Sequence, residues 1–163
     1  MKARSCRFTL TIMNLVLVGA CSQNKESAPA AEVSVPPAEP AVQMQVRTRA
    51  PEDARVFFIS PRDGDILPET FKVEFGIEGM TVVRAGEQTP NAGHHHLLID
   101  TDLPDLNYPV PADANHVHFG DASTTTERTL PPGEHTLQLL FADHLHIPHE
   151  PPVYSEPITI TVE

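Results

Sequence analysis

Phe71-Lys72-Val73-Glu74-Phe75-Gly76-Ile77 alternates strictly, with Phe71, Val73, Phe75 and Ile77 on one face of an extended chain and Lys72 and Glu74 on the other. A period of two marks a β-strand with one face in a core and one in water. The same pattern recurs outward from this stretch, in Arg55–Ser60, His94–Asp100, Glu127–Leu130, His135–Ala142 and Ile158–Val162, with shorter runs at Thr81–Arg84 and Asn115–Phe119. Prolines at 61, 68, 90, 104, 109, 111, 131, 132, 148, 151, 152 and 157 interrupt the chain too often for long helices, and no segment sustains a helical period. The expected fold is all-β: an immunoglobulin-like antiparallel β-sandwich of about seven strands spanning residues 51–163. The Cys…Trp…Cys core of antibody domains is absent, so this expectation rests on strand pattern alone.

The segment before residue 51 reads differently. Lys2, Arg4 and Arg7 precede a short apolar run, Phe8 to Val18, which ends in Val18-Gly19-Ala20-Cys21. This resembles the signal and lipobox of bacterial lipoproteins: residues 1–20 as signal peptide, Cys21 as the lipidated first residue of the mature chain. Ser22 rather than Asp after the cysteine leaves the outer membrane, facing the periplasm, as the expected location. Residues 21–50 are rich in Ala, Pro, Glu and Ser and read as a disordered, semi-rigid linker. The precursor carries a net charge of −11. Loss of the three signal cations makes the remainder more acidic still, which argues against nucleic acid and against charge-driven membrane binding. The expected partners are therefore the membrane, through a lipid anchor, a metal ion and an envelope protein. Residues 51–163 contain no cysteine, so any metal site there must use nitrogen and oxygen donors.

Nine histidines fall between residues 94 and 149, and six form His-x-His pairs: His94/His96, His116/His118 and His144/His146. In a strand, residues i and i+2 share a face, so each pair can aim two imidazoles in one direction. Imidazole is the commonest metal ligand, and an all-nitrogen site suits copper or zinc. His94, His96, His118 and His146 are the leading candidate ligands, with His116, His144 and Asp143 in reserve. Asp100, Asp121 and Glu150 are nearby carboxylates able to orient imidazoles. His95 points to the opposite face of its strand, toward the core beside Leu97 and Ile99. His135 reads as a bystander, and His149 sits in a Pro-rich segment that assigns it no role. Metal binding by these residues is expected to release protons and to weaken as pH falls through the imidazole range.

The blocks ISPRDGDILPETFKVEFGIEGM, GHHHLLIDTDLPDL, PVPADANHVHFGD and LPPGEHTLQLLFADHLHIPHEPPVYSEPITITV resemble the bacterial domain of unknown function family 4399 over residues 55–162. The resemblance implies an exported domain with a histidine signature at His94, His95, His96, His116, His118, His146 and His149, and it implies no particular activity. His116–Asp121 (HVHFGD) also looks like a shortened form of the HVHEFGD segment of copper/zinc superoxide dismutases. It lacks the acidic residue before the Phe, and we read the likeness as convergence or chance. No G-x-S-x-G, P-loop, H-E-x-x-H or dinucleotide motif is present. The function expected is metal handling by a non-enzymatic, lipid-anchored envelope protein. Two alternatives stand beside it: a binding or scaffold module whose histidines form a hydrogen-bond network pinning loop 101–115, and a metal-dependent enzyme.

Overall fold

The computed structural model describes residues 46–163. The expected signal peptide, Cys21 and most of the linker lie outside the described residues. Ten strands follow in order: β1 (Arg55–Ser60), β2 (Ile66–Leu67), β3 (Thr70–Glu78), β4 (Thr81–Val82), β5 (Ala92–Ile99), β6 (His116–His118), β7 (Thr125–Thr129), β8 (Gly133–Ala142), β9 (Pro148–Tyr154) and β10 (Ile158–Val162). Among the described residues no helix is long and apolar enough to cross a membrane.

The strands form two sheets, and the sandwich architecture is as expected. One sheet is antiparallel, in the order β1-β3-β7. The other is built on β8, which pairs with β5 along one side and with β10 and then β9 along the other. β5 in turn pairs with β6 antiparallel and with β4 parallel. The two-residue strands β2 and β4 both pair in parallel, and with them and β9 the count exceeds the expected seven.

The alternation of β3 operates as the sequence suggests. Phe71, Val73 and Phe75 are buried, while Lys72 is exposed. They pack against Leu97, Ile99, Leu137, Leu139, Phe141, Ile160 and Val162 of the facing sheet. β9 is the strand the sequence conceals, because prolines at 148, 151 and 152 argue against a strand. It is tolerated because its ladder to β8 is short and shifts register between Phe141 and Ala142.

β5 differs from the other strands in being buried on both faces along its whole length. Its inner face joins the core between the sheets. Its outer face, with Leu140 and Ala142 of β8, forms a second cluster in which Leu98 packs under Val110, Leu103 and Leu106 of loop 101–115. Both ends of this loop are tied down by histidines. His135 Nδ1 lies 2.7 Å from Asp100 Oδ2 and its Nε2 lies 2.9 Å from the Pro131 carbonyl. The carboxylate, followed by the Pro131 carbonyl, raises the pKa of this ring, since two acceptors favour the doubly protonated form. At the far end His116 Nδ1 lies 2.8 Å from Asp113 Oδ1.

Gly93 is the close-approach point between β5 and β8. A Cβ built there would sit 2.2 Å from the Ala142 carbonyl oxygen and 2.9 Å from Phe141 Cε1. The first clash is with backbone that cannot rotate away. Gly93→Ala is therefore expected to destabilise the fold by about 3 kcal/mol or more, read as a lowered urea midpoint. A variant of wild-type stability would contradict this packing.

Candidate functional site

The register between β5, β6 and β8 decides where the histidines go. His94 pairs with Ala142, His96 with Leu140, and His96 also with His118 across the β5–β6 ladder. His94 and His96 thus point outward from the larger sheet, with His118 from the neighbouring strand beside them. One ring nitrogen from each of His94, His96 and His118 lies within 4.8 Å of the others. His146 closes the group from the turn after β8, with its Nε2 3.1 Å from His118 Nε2. Its ring centroid is 4.9 Å from that of His94 and 4.7 Å from that of His118.

His146 reaches this position at a conformational cost. Its φ is 66°, the left-handed region that costs a non-glycine residue about 1 kcal/mol or more. The turn is held by backbone bonds from His146 N–H to the Asp143 carbonyl and from Val110 N–H to the His146 carbonyl, both 2.9 Å. Asp143 is buried and binds the turn from inside. Its Oδ1 accepts the N–H groups of Leu145 at 2.9 Å and Ile147 at 3.0 Å.

His118 is exposed, and its ring lies over Gly120. A Cβ at Gly120 would meet His118 Cε1 at 2.2 Å and Nε2 at 2.7 Å. Beside the ring a shallow groove opens, bounded by Ala85, Phe119, Asp121, Ser123 and Thr125. The cluster is thus sealed beneath by the sheet and open at His118, which gives an ion a path in.

The inner rings are held neutral. Burial, and then the proximity of His118 and His146, push the pKa of His94 down to about 3, with Asp143 pulling the other way. Burial and then His94 push that of His96 down to about 2. Burial and then His146 lower that of His118. Neither ring nitrogen of His94 or His96 has a hydrogen-bond partner among the described residues. Neutral, unpartnered imidazoles facing one another are the donor form that a cation requires.

The remaining histidines separate from this group. His95 turns inward, its ring 4.7 Å from that of Phe75 and 5.0 Å from that of Phe141, and burial lowers its pKa to about 4. His149 stacks on Phe141 and its Nδ1 lies 3.3 Å from the Thr48 carbonyl. Of the reserve candidates, His116 pairs with Asp113 and His144 is half-buried, and neither is in the group of His94, His96 and His118. Gly120 escaped the sequence reading, although its position two residues after His118 in HFGD is the trace that could have exposed it.

Acid lability follows from the buried rings. In the ion-free protein His94, His95 and His96 accept protons far less readily folded than unfolded. Their contribution to stability is complete above about pH 6.5 and is lost as pH falls from there toward the depressed folded values. Each ring is expected to remove about 1–2 kcal/mol between pH 7 and pH 5, seen as a falling urea midpoint. His95→Phe should flatten this dependence, and equal midpoints at both pH values would refute it.

A family model described as Domain of unknown function (DUF4399) matches residues 73–163. No curated protein matches the chain. Among solved structures, one described as "Structures of Clostridium thermocellum CbhA fibronectin(III)-like modules" is 12% identical, with a TM-score of 0.32, and the match covers 66% of this chain and 92% of that one.

Proposed function

The chain belongs to the DUF4399 family, and we propose that it is a lipid-anchored protein of the bacterial envelope that binds copper or zinc through His94, His96, His118 and His146. The role is metal handling (buffering or delivery) rather than catalysis. One observation carries this reading: the rings of His94 and His96, buried and without a hydrogen-bond partner among the described residues, each bring a nitrogen within 4.8 Å of one on His118, whereas His95, equally unpartnered, faces Phe75 and Phe141. A structural histidine network needs the opposite, because a buried ring N–H left unpaired costs about 1–3 kcal/mol. A bound cation would engage one nitrogen on each ring at once.

The spacing suits the ion. Tetrahedral coordination at Zn–N distances of 2.0–2.1 Å separates donor atoms by about 3.3 Å. One ring nitrogen each of His94, His96 and His118 lies within 4.8 Å of the others, and His146 Nε2 lies 3.1 Å from His118 Nε2, so ring rotations would be needed to bring all four donors to that separation. At a site of given nitrogen donors Cu²⁺ binds more strongly than Zn²⁺, so availability would decide which is carried. The net charge of −11 favours a cation. The lipobox-like Val18–Cys21 supports an anchor at Cys21, with the domain facing the periplasm.

The test is calorimetric titration of the untagged full chain with Cu²⁺ or Zn²⁺ at pH 7. We expect a single saturable, sub-micromolar site that His94→Ala/His96→Ala weakens by at least about 100-fold, while His116→Ala and His144→Ala leave it intact. Burial holds the His94 and His96 rings neutral, so these two are expected to bind without giving up a proton. Binding enthalpies in buffers of different ionisation enthalpy should nearly coincide. Weak, non-saturating binding by the wild-type chain would end the proposal.

Gly120→Ala supplies a separate check that leaves all four rings in place. Its added methyl meets the tip of the His118 ring, which can swing aside, so the fold should lose less than about 2 kcal/mol. Metal affinity should fall as in His118→Ala. Wild-type affinity in Gly120→Ala would remove His118 from the ligand set.

A further inference from the structure

The composition of residues 21–50 reads as linker, yet its last residues are built into the domain beside the site. Ala50 N–H donates to the Glu150 carbonyl at 3.0 Å, and Glu150 N–H donates to the Thr48 carbonyl at 2.9 Å. Arg47 donates from Nε to the Pro148 carbonyl at 3.0 Å and from its terminal nitrogens to the His149 carbonyl and the Glu150 carboxylate. Residues 47–50 thus form a strap along β9, the strand that follows directly from the His146 turn.

One contact of the strap reaches the turn itself. Thr48 Oγ1 donates to Asp143 Oδ2 at 2.5 Å. Asp143 is 2% exposed, and its other oxygen already holds Leu145 and Ile147 N–H. The Thr48 hydroxyl therefore completes the set of partners that fixes the carboxylate. With these three partners in place, Asp143 faces the turn as its organiser rather than the ring nitrogens as a donor.

We propose that Thr48 is a positioning residue for the metal site: its hydroxyl locks the Asp143 carboxylate, which locks the 143–147 turn that aims His146 at His118. This rests on the metal-binding reading above. Without the hydroxyl, a buried carboxylate oxygen loses its partner, and the carboxylate is no longer fixed on that side. A turn that holds His146 in a strained conformation then relaxes, and the fourth imidazole leaves the group. Outer partners of this kind typically contribute 10–100-fold to metal affinity.

The experiment compares Cu²⁺ binding by the full chain as wild type, Thr48→Val, Thr48→Ser and His146→Ala. Affinity is measured by titration, and the number of coordinated nitrogens is read from the electron paramagnetic resonance of the Cu²⁺ form. Thr48→Val keeps the side-chain volume and removes only the hydroxyl. It is expected to lose about tenfold or more in affinity and to show the nitrogen coordination of His146→Ala, with its far-UV circular dichroism unchanged. Thr48→Ser restores both. A Thr48→Val protein with wild-type affinity and spectrum overturns the positioning role while the metal reading stands. A loss of affinity with unchanged nitrogen coordination, or without rescue by Thr48→Ser, also overturns it. A wild-type chain that binds no Cu²⁺ overturns both.

Discussion

Because β5 has β8 along one side and β4 and β6 along the other, with the three-stranded sheet beneath it and loop 101–115 above, none of its side chains reaches water. Successive residues must alternate between two different interiors. His95, Leu97 and Ile99 go to the core between the sheets, and His94, His96 and Leu98 go to the opposite face, Leu98 under the loop and the two imidazoles against His118 and His146. Every feature of the site depends on that alternation. It places two imidazoles on one face with no polar backbone to satisfy them, since their own main-chain groups are used in the ladders. It also places His118 opposite His96 through the β5–β6 pairing.

The histidines consequently divide by environment rather than by sequence motif. His116 and His135, at the two ends of the loop, meet carboxylates at the surface and act as ties. His95 and His149 pack on Phe141 in the interior. His94, His96, His118 and His146 meet chiefly one another. A scaffold reading, in which histidines pin the loop, thus describes His116 and His135. At His94, His96 and His118 burial, and then the neighbouring imidazoles, favour the neutral ring, in a domain otherwise rich in carboxylates.

Much of this was legible in the sequence because period-two patterning carries information about faces. The alternation at Phe71–Ile77 and the His94/His96 spacing both translate directly into burial and direction, and the inward turn of His95 follows from the same rule, whereas the pairs His116/His118 and His144/His146 each send only one ring to the cluster. The family resemblance matches the family model over residues 73–163. What the sequence hides lies in chain segments without a period. β9 carries three prolines and registers as a strand only through its neighbours. Arg47–Ala50 has the composition of the preceding linker, and its role arises from hydrogen bonds to residues about a hundred positions away, such as Arg47 to Pro148. His146 owes its direction to a left-handed turn that strand spacing cannot anticipate. Gly120 matters for the space above it, which no pattern of side chains describes.

The double burial of β5 has a consequence for folding. A strand with one wet face punishes a one-residue slip by exposing its apolar side, but β5 has no wet face, and both of its faces carry histidine and leucine. Its hydrophobic pattern alone therefore distinguishes poorly between the native pairing and its neighbour. Gly93 opposite the Ala142 carbonyl is one discriminator. A cation would be another, since only the native pairing sets His94 and His96 beside His118, and an ion bound to that arrangement alone would lower the population of slipped states by mass action. In that sense the ion would serve as a proofreader of strand registration during folding, before it served any purpose as cargo.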